Sequence, residues 1–198
     1  MTGIETFLVD DRDPPSKRRM LVEALRLFVE RGVDGTTVRD IAAASGYSNP
    51  ALFKFFASKE ELALHLFARC YARLGERAAL ATAPGRPFGE RLDALMRAFG
   101  AFLDEEPEVL LFTQDNLRVY LPKLSANERG PSLLGLLRGL VGDGVASGEV
   151  TTEIPVDLLV AALSGTVAQY ARMRHFDELP RGAALAALRP LVTRMIAP

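Results

Sequence analysis

A short stretch between residues 48 and 59 contains the side chains best suited to recognising another molecule. Asparagine can form a paired contact with adenine and lysine can reach the acceptor atoms of guanine, so Asn49 and Lys54 are candidates for reading base edges. Ser48 and Ala51 complete this candidate set. Asn49 has an alternative role, because capping its own helix would occupy the side chain. The stretch therefore predicts contacts to the major groove of DNA.

Three further residues are candidates for contacting the DNA backbone or a base methyl group. Thr37 and Lys59, together with the exposed amides at two helix starts, are candidates for binding phosphate, since helix N-termini attract anions. Phe55 is a candidate for contacting a thymine methyl group, and a place in the protein core is the alternative for this ring.

These side chains need a rigid support, which the surrounding sequence predicts. The first helix of this support has an apolar face at helical spacing, formed by Val38, Ile41, Ala42 and Ser45. Thr37 and Asp40 form a capping-box-like start, and Gly46 stands where a turn needs positive φ.

A second helix is predicted to begin at Asn49-Pro50, because proline fits the first turn and disfavours helical geometry at the residue before it. Leu52, Phe53 and Phe56 are predicted to anchor this helix in the core, which leaves the candidate base contacts facing outward. A helix, a glycine-containing turn and a second helix form the helix-turn-helix arrangement, in which the second helix enters the major groove.

Two flanking helices complete the predicted unit. The first covers about residues 17–30 and is followed by Gly32, a typical stop signal. The last begins near Ser58, which forms a second capping box with Glu61. The apolar stripe of this last helix continues to Leu74, so we predict a rigid connector into a second domain.

The run from Lys17 to Leu66 resembles the N-terminal domain of the TetR/AcrR family of transcriptional regulators. The matching residues are Leu21, Ala24, Phe28, Gly32, Thr36-Thr37-Val38, Ile41-Ala42, Ala44, Gly46, Ala51-Leu52-Phe53, Phe56, Ser58-Lys59-Glu60 and Leu62. The resemblance implies a one-component dimeric regulator, most often a repressor, and it places Lys59 at the family's phosphate-contacting lysine. Family members usually carry tyrosine where Phe53 stands, and often tyrosine or histidine where Phe55 stands. Those polar tips commonly touch phosphate, so the resemblance implies that this chain contacts the DNA backbone elsewhere.

The composition is that of a globular chain with an uneven charge distribution. The 198 residues are 48% hydrophobic, which suffices for a substantial core, and the net charge is -1. Residues 17–59 contain eight basic and four acidic residues, a modest electrostatic footprint for DNA for which an ordinary solvated surface is the alternative. The single cysteine, Cys70, is predicted to be a buried apolar residue. No apolar run is long enough to span a membrane, so we expect a cytoplasmic protein.

The rest of the chain keeps helical periodicity and shows no strand alternation, so the predicted fold class is all-α. We predict a flexible N-terminal arm over residues 1–16 and a three-helix DNA-binding domain over residues 17–62. A helical effector-binding and dimerisation domain is predicted over residues 63–198.

The predicted helix over residues 156–174 is apolar on both sides, so both sides must be buried. One side can join its own core and the other needs a partner. Together with the last helix this predicts a four-helix homodimer interface, which the resemblance also implies; a central helix in a larger monomer core is the alternative. The candidate interface residues are Leu158, Ala161, Ala162, Gly165, Ala168, Leu188 and Leu191.

The second domain also offers apolar side chains with a few polar groups, the usual composition of a small-molecule pocket. The candidate effector-binding residues are Met96, Phe99, Phe102, Phe112, Gln114, Asn116, Tyr120, Gln169, Tyr170 and Met173. Ordinary core or surface positions are the alternative for each. The mixture favours a hydrophobic or amphipathic effector.

Catalytic signals are absent from the sequence. His65 and His175 lie on separate predicted helices and match no metal-binding spacing, and there is no phosphate-binding glycine motif or nucleophile elbow. We predict no enzymatic activity, no metal and no cofactor.

The sequence thus predicts a ligand-responsive repressor that binds a pseudo-palindromic operator as a homodimer and is released by a small effector. A helical small-molecule-binding protein or enzyme with vestigial DNA binding is one alternative. A regulator without a ligand that works through protein contacts is another.

Overall fold

The computed structural model describes residues 7–10, 12–130, 132–180 and 184–198. The α-helices of these residues are, in chain order, α1 (Pro15–Arg31), α2 (Val38–Ser45), α3 (Asn49–Phe53), α4 (Lys59–Thr82), α5 (Phe88–Glu105), α6 (Pro107–Tyr120), α7 (Ala126–Arg129), α8 (Leu133–Ala146), α9 (Val156–His175) and α10 (Ala184–Ile196). A 3-10 turn covers Leu121–Lys123. The described residues contain no β-strand, and the predicted all-α class is confirmed.

The chain divides into two compact units. The first comprises the described residues up to Arg73 together with Leu111–Arg129, and the second comprises Leu74–Leu110 together with the described residues from Gly130 onward. Consequently α4 and α6 each have residues in both units. This division differs from the predicted boundary between residues 62 and 63.

The first unit is built around α1, whose ends follow from local sequence. Pro15 suits the first turn because its φ is fixed and its missing amide would have no helical partner. The helix ends at Gly32, which has φ 75° and donates its amide to the Phe28 carbonyl at 3.0 Å. Its buried stripe comprises Met20, Leu21, Ala24, Leu25, Leu27, Phe28 and Val29.

The C-terminal part of α6 completes the core of the first unit. The ring of Phe112 stacks on Phe28 of α1 with centroids 5.8 Å apart, and Tyr120 lies 5.7 Å from Phe67 of α4. Both α6 rings are buried. The apolar spacing of α6 could not reveal this, since periodicity shows that a face is buried and not which helices cover it.

The N-terminal segment also differs from the prediction. Residues 1–6 and 11 of the predicted flexible arm lie outside the described residues. Of the others, Leu8 and Val9 are buried, and Asp10 forms an ion pair with Arg69 of α4. Removing two apolar side chains from water favours this docked position over a free arm.

The second unit has its own core, to which α5, α8, α9 and α10 contribute. Its buried apolar residues are Ala78, Ala81, Phe88, Leu95, Leu140, Val141, Val150, Leu159, Val160, Leu163, Val192 and Ile196. Buried Arg91 supplies hydrogen bonds to the last carbonyl of α4, because its Nε and Nη2 donate to the Thr82 carbonyl at 3.0 and 2.8 Å. Its Nη1 pairs with Asp143 of α8 at 2.6 Å.

One glycine of α8 is required by close packing. A Cβ atom on Gly144 would lie 2.5 Å from Val150 Cγ2 and 2.7 Å from the ring of Phe88. Both neighbours are buried and have little room to move. By contrast, a Cβ atom on Gly139 of the same helix would meet no atom within 4 Å.

Gly144→Ala should therefore lower the free energy of unfolding by about 1–3 kcal/mol, because overpacking forces rotamer and backbone shifts. Gly139→Ala is the matched control and should leave stability unchanged or raise it by up to about 1 kcal/mol, because alanine has the higher helix propensity. Chemical denaturation of both variants measures the difference, and equal stability of the two would contradict the packing argument.

Candidate nucleic-acid interface and ligand cavity

The turn between α2 and α3 has the geometry that the helix-turn-helix prediction requires. Thr37 caps α2, since its hydroxyl accepts from the Asp40 amide at 3.2 Å while its own amide donates to the Asp40 carboxylate at 2.8 Å. Gly46 ends α2 with φ 75° and ψ 22°, the left-handed conformation. Ile41 and Ala42 are buried, so α2 holds the turn against the first unit.

The short helix α3 is anchored by Leu52, and just beyond its end by Phe56, both buried. Phe53 was also predicted as an anchor, and this prediction is wrong: its side chain is 51% exposed. The buried residues Leu52 and Phe56 are four positions apart, and the Phe56 amide donates to the Leu52 carbonyl at 3.2 Å, so the two share one inward face. Phe53 lies about 100° around the helix from Leu52, which turns its ring away from the core.

The four candidates for base contacts lie together on α3 and at its flanks. Ser48 and Lys54 are exposed, and Asn49 and Ala51 are half-buried. Ser48, rather than Asn49, occupies the N-cap position, and it makes no side-chain cap hydrogen bond. The side-chain amide of Asn49 has no hydrogen-bond partner among the described residues, so it is available for a ligand. Phe55, the candidate for a thymine methyl group, is half-buried.

The two candidates for phosphate contacts have roles inside the protein. The Thr37 hydroxyl donates to the Asp40 carboxylate at 2.6 Å, and its lone pair accepts the Asp40 amide. The Lys59 ammonium group donates to the carbonyls of Val33 and Thr36 at 2.6 and 2.8 Å. Lys59 therefore ties the start of α4 to the turn between α1 and α2, and one of its three N–H donors remains for a phosphate.

Other basic residues of the first unit differ in whether an acidic side chain already pairs with them. Lys17 pairs with Asp13 at 2.9 Å, and Arg26 lies between Glu23 and Glu30. Exposed Arg39 on α2 makes no ion pair with any described residue, although the sequence analysis did not single it out. A signal was present, because no acidic residue stands three or four positions from Arg39.

Two exposed aromatic residues were also missed. Besides Phe53, Tyr47 is 39% exposed immediately before α3. Exposed aromatic rings at a proposed interface are candidates for contact with a partner, because leaving such area in water is unfavourable. The sequence signal for Phe53 was the four-residue spacing of Leu52 and Phe56, which already provides an inward face for α3.

His65 of α4 is a half-buried group of the first unit. Desolvation, and then the positive charges of Arg69 and Lys17, lower the pKa of its imidazole below the usual range. It therefore stays neutral at physiological pH, beside the ring of Phe56 at 5.3 Å. Among the described residues, no group of three or more His, Cys, Asp or Glu side chains is placed to hold a metal ion.

The predicted effector residues are divided between the two units. Phe112, Gln114, Asn116 and Tyr120 belong to the first unit, where Phe112 and Tyr120 are core residues. In the second unit Phe102 is buried, whereas Met96 and Phe99 are partly buried against the core. Tyr170 and Met173 of α9 are half-buried, and Gln169 is exposed.

The second unit contains a cavity of about 260 Å³ between α5, the start of α6 and α9. It is lined by Leu103, Asp104, Pro107, Glu108, Ala171, Arg174 and His175. Arg174 Nη1 lies 2.6 Å from Asp104 Oδ1, yet the two groups are not aligned for a hydrogen bond. The cavity therefore combines apolar walls with a guanidinium group whose hydrogen-bonding capacity is not fully used.

Comparison with known proteins places this chain in a family. Residues 20–66 match the model described as bacterial regulatory proteins, tetR family. The chain is 30% identical over 166 residues to the HTH-type transcriptional repressor KstR2 of Rhodococcus jostii, a match that covers 79% of each protein. It is 32% identical over 120 residues to the HTH-type transcriptional activator FasR of Mycolicibacterium smegmatis, covering 59% of this chain and 54% of FasR.

Structural similarity extends over most of the chain. The solved structure of the ketosteroid transcriptional regulator KstR2 of Mycobacterium tuberculosis superposes with a TM-score of 0.76 at 23% identity, covering 91% of this chain and 95% of that one. This chain belongs to the TetR family of bacterial transcriptional regulators, whose members bind DNA through an N-terminal helix-turn-helix domain. Its relatives are regulators rather than enzymes. No helix in the described part of the chain combines the length and hydropathy needed to cross a bilayer.

Substituting Lys54 and Lys59 one at a time should separate effects on the stability of the fold from effects on DNA recognition. Lys59→Ala leaves two carbonyl groups without their donor, so it should cost about 1–3 kcal/mol of stability and weaken binding to all DNA sequences. Exposed Lys54 is the matched control: Lys54→Ala should change stability by less than about 0.5 kcal/mol and weaken specific binding preferentially. Thermal unfolding and fluorescence anisotropy measure both effects, and unchanged stability in Lys59→Ala would contradict the bonded role.

The cap of α2 predicts a pH dependence. Hydrogen bonds from the Thr37 hydroxyl and amide lower the pKa of Asp40 below its usual value. A lowered pKa in the folded state stabilises the fold above the unfolded-state pKa, and this contribution is lost as pH falls through the folded-state value.

The stability difference between the wild type and Asp40→Ala should therefore be complete at neutral pH and shrink below about pH 4. Asp34→Ala, which removes an exposed carboxylate outside any cap, is the control. Thermal unfolding between pH 7 and pH 3 tests this, and a difference that grew on acidification would contradict the assignment.

Proposed function

We propose that this chain is a repressor that binds a pseudo-palindromic operator as a homodimer and is released by a small hydrophobic or amphipathic effector. The observation that carries the DNA-binding part is the supported turn between α2 and α3, which leaves Ser48 and Lys54 exposed and Asn49 half-exposed in a chain of the TetR family. In this proposal α3 enters the major groove and Arg39 joins Lys59 in contacting phosphates.

Exposed apolar residues on α9 and α10 support the dimer. Leu158 is 59% and Leu191 is 46% exposed, and Ala161 and Gly165 are exposed on the same helix as Leu158. A Cβ atom on Gly165 would meet nothing within 4 Å, so a second helix can approach closely there. Two of the other candidates, Ala162 and Ala168, are half-buried, and Leu188 is buried within its own unit.

A dimer with these helices at its two-fold axis would read two half-sites. Their centres would lie about one DNA turn apart, roughly 34–36 Å, or a multiple of this distance. Leu158→Glu and Leu191→Glu should therefore give monomers with weak operator binding, because each would bury a charge in the interface. Leu80→Glu alters another exposed leucine, on α4, and should leave the dimer intact. Sedimentation analysis of the three variants tests this, and dimeric Leu158→Glu and Leu191→Glu would rule out the interface.

The cavity beside Arg174 is our proposed effector site in the second unit. Leu103, Pro107 and Ala171 provide apolar contact, and Arg174 and His175 provide polar groups, which suits an amphipathic molecule. Asp104 connects this site to α10, because its carboxylate accepts the Ala184 amide at 3.3 Å as well as lying against Arg174.

Release of the operator follows from differential affinity. An effector can act only by binding the DNA-competent and incompetent states unequally, so effector and operator must weaken each other by the same factor. We propose that the signal passes through α4 and α6, the two helices with residues in both units. Effector binding that is equally tight to the free and the operator-bound protein would contradict this proposal.

The decisive experiment is fluorescence anisotropy of the purified protein on DNA from upstream of its own gene, with random DNA as control, across a salt series. Tight binding to the upstream DNA with a steep salt dependence, and a stoichiometry of two chains per site, would support the proposal. If both DNAs bind weakly, a selection from a random DNA pool follows. A failed selection would contradict operator binding and favour a small-molecule-binding protein with vestigial DNA contacts.

A further inference from the structure

Phe53 is an unusual residue for the surface of a recognition helix. Phe53 is 51% exposed, whereas the neighbouring Leu52 is fully buried and provides the inward contact of α3. A phenylalanine ring has no hydroxyl group and cannot donate a hydrogen bond to a phosphate oxygen. What the ring offers to a partner is apolar area.

Asn49 lies on the same face of α3. Residues four apart in a helix project from one side with Cβ atoms about 5–6 Å apart, which places half-buried Asn49 on the same side of α3 as Phe53. The Asn49 side chain is available, because it makes no hydrogen bond to a described residue and Ser48 occupies the cap position. An amide and an apolar ring thus form one outward pair.

This pair matches the chemistry of A·T base pairs. In the major groove an asparagine amide can bond adenine N6 and N7 together, and the thymine methyl group is the apolar feature of the base edges. Base pairs are stacked about 3.4 Å apart along the helix axis, so side chains 5–6 Å apart can reach the same pair or neighbouring pairs. Guanine and cytosine offer no comparable apolar contact to Phe53.

We propose that Asn49 and Phe53 together read adjacent A·T base pairs in each operator half-site, Asn49 through adenine and Phe53 through a thymine methyl group. This inference rests on the proposed operator binding and specifies what the operator contains. In this proposal a base methyl group packs against the exposed Phe53 ring. The exposed cations Lys54 and Arg39 attract the negatively charged DNA around it.

The test removes single methyl groups from the DNA. An operator obtained from a random-pool selection is resynthesised with deoxyuridine at one thymine at a time, which leaves base pairing unchanged. For the wild-type protein, one thymine in each half-site should be sensitive and lose roughly three- to fivefold in affinity, the effect of one buried methyl group. Phe53→Ala should bind the thymine and deoxyuridine forms of that site equally.

Two variants make the test specific. Tyr47→Ala removes another exposed aromatic ring outside α3 and should keep the deoxyuridine sensitivity of the wild type. Asn49→Ala should abolish sensitivity to 7-deazaadenine, which lacks the N7 acceptor, at an adenine in the same or the adjacent base pair. Phe53 and Asn49 are not buried anchors of the fold, and circular dichroism checks that these variants remain folded.

The outcomes separate this inference from the proposed function. The protein could bind its operator specifically without any thymine at which deoxyuridine lowers the affinity in a Phe53-dependent way. That result overturns the inference and leaves the regulator proposal standing. Sensitivity at sites separated from the Asn49-dependent adenine by several base pairs also overturns it, since the two residues would then not act as a pair. Failure to select any specific DNA overturns both.

Discussion

The DNA-binding face depends on how the turn between α1 and α2 is satisfied. This turn brings the carbonyls of Val33 and Thr36 together, and the Lys59 ammonium group donates a hydrogen bond to each from the start of α4. The buried Thr36 hydroxyl adds a hydrogen bond to the Gly32 carbonyl at 2.8 Å. Hydrogen bonds to a charged donor are stronger than neutral ones, at about 1.5–3 kcal/mol each. The same lysine that the family resemblance assigns to phosphate thus also holds α1, α2 and α4 in register.

A second constraint comes from α6. Its C-terminal residues place Phe112 against α1 and Tyr120 against α4, and the Tyr120 hydroxyl donates to Glu60 at 2.8 Å. Desolvation and the Glu60 carboxylate raise the pKa of Tyr120 far above its usual value, so the hydroxyl stays protonated and remains a donor. The DNA-binding unit is therefore more than a three-helix module, since residues distant in sequence complete its core.

The sequence predicted local features well because local chemistry determines them. The Thr37–Asp40 cap, the positive φ of Gly46 and the outward position of Lys54 depend on residues within one or two turns, and the structure contains all three. The exposure of Phe53 was mispredicted because three apolar residues were assigned inward, whereas the core takes Leu52 and Phe56, which are four positions apart. The sequence also could not show that Phe112 and Tyr120 pack in the core of the first unit, since burial on a helix face does not identify the covering helices. The pairing of Asp104 with Arg174 in the cavity escaped prediction because the two residues are distant in sequence.

The brevity of α3 has a consequence for how this surface changes over time. Five residues are too few to form a stable helix alone, so the position of α3 is set by Leu52, by Phe56 and by the turn before it. The outward side chains of Asn49, Phe53 and Lys54 add little to that support. Substitutions at these positions can therefore accumulate without compensating changes elsewhere, and the chemistry of this surface can diverge during evolution while the fold is inherited.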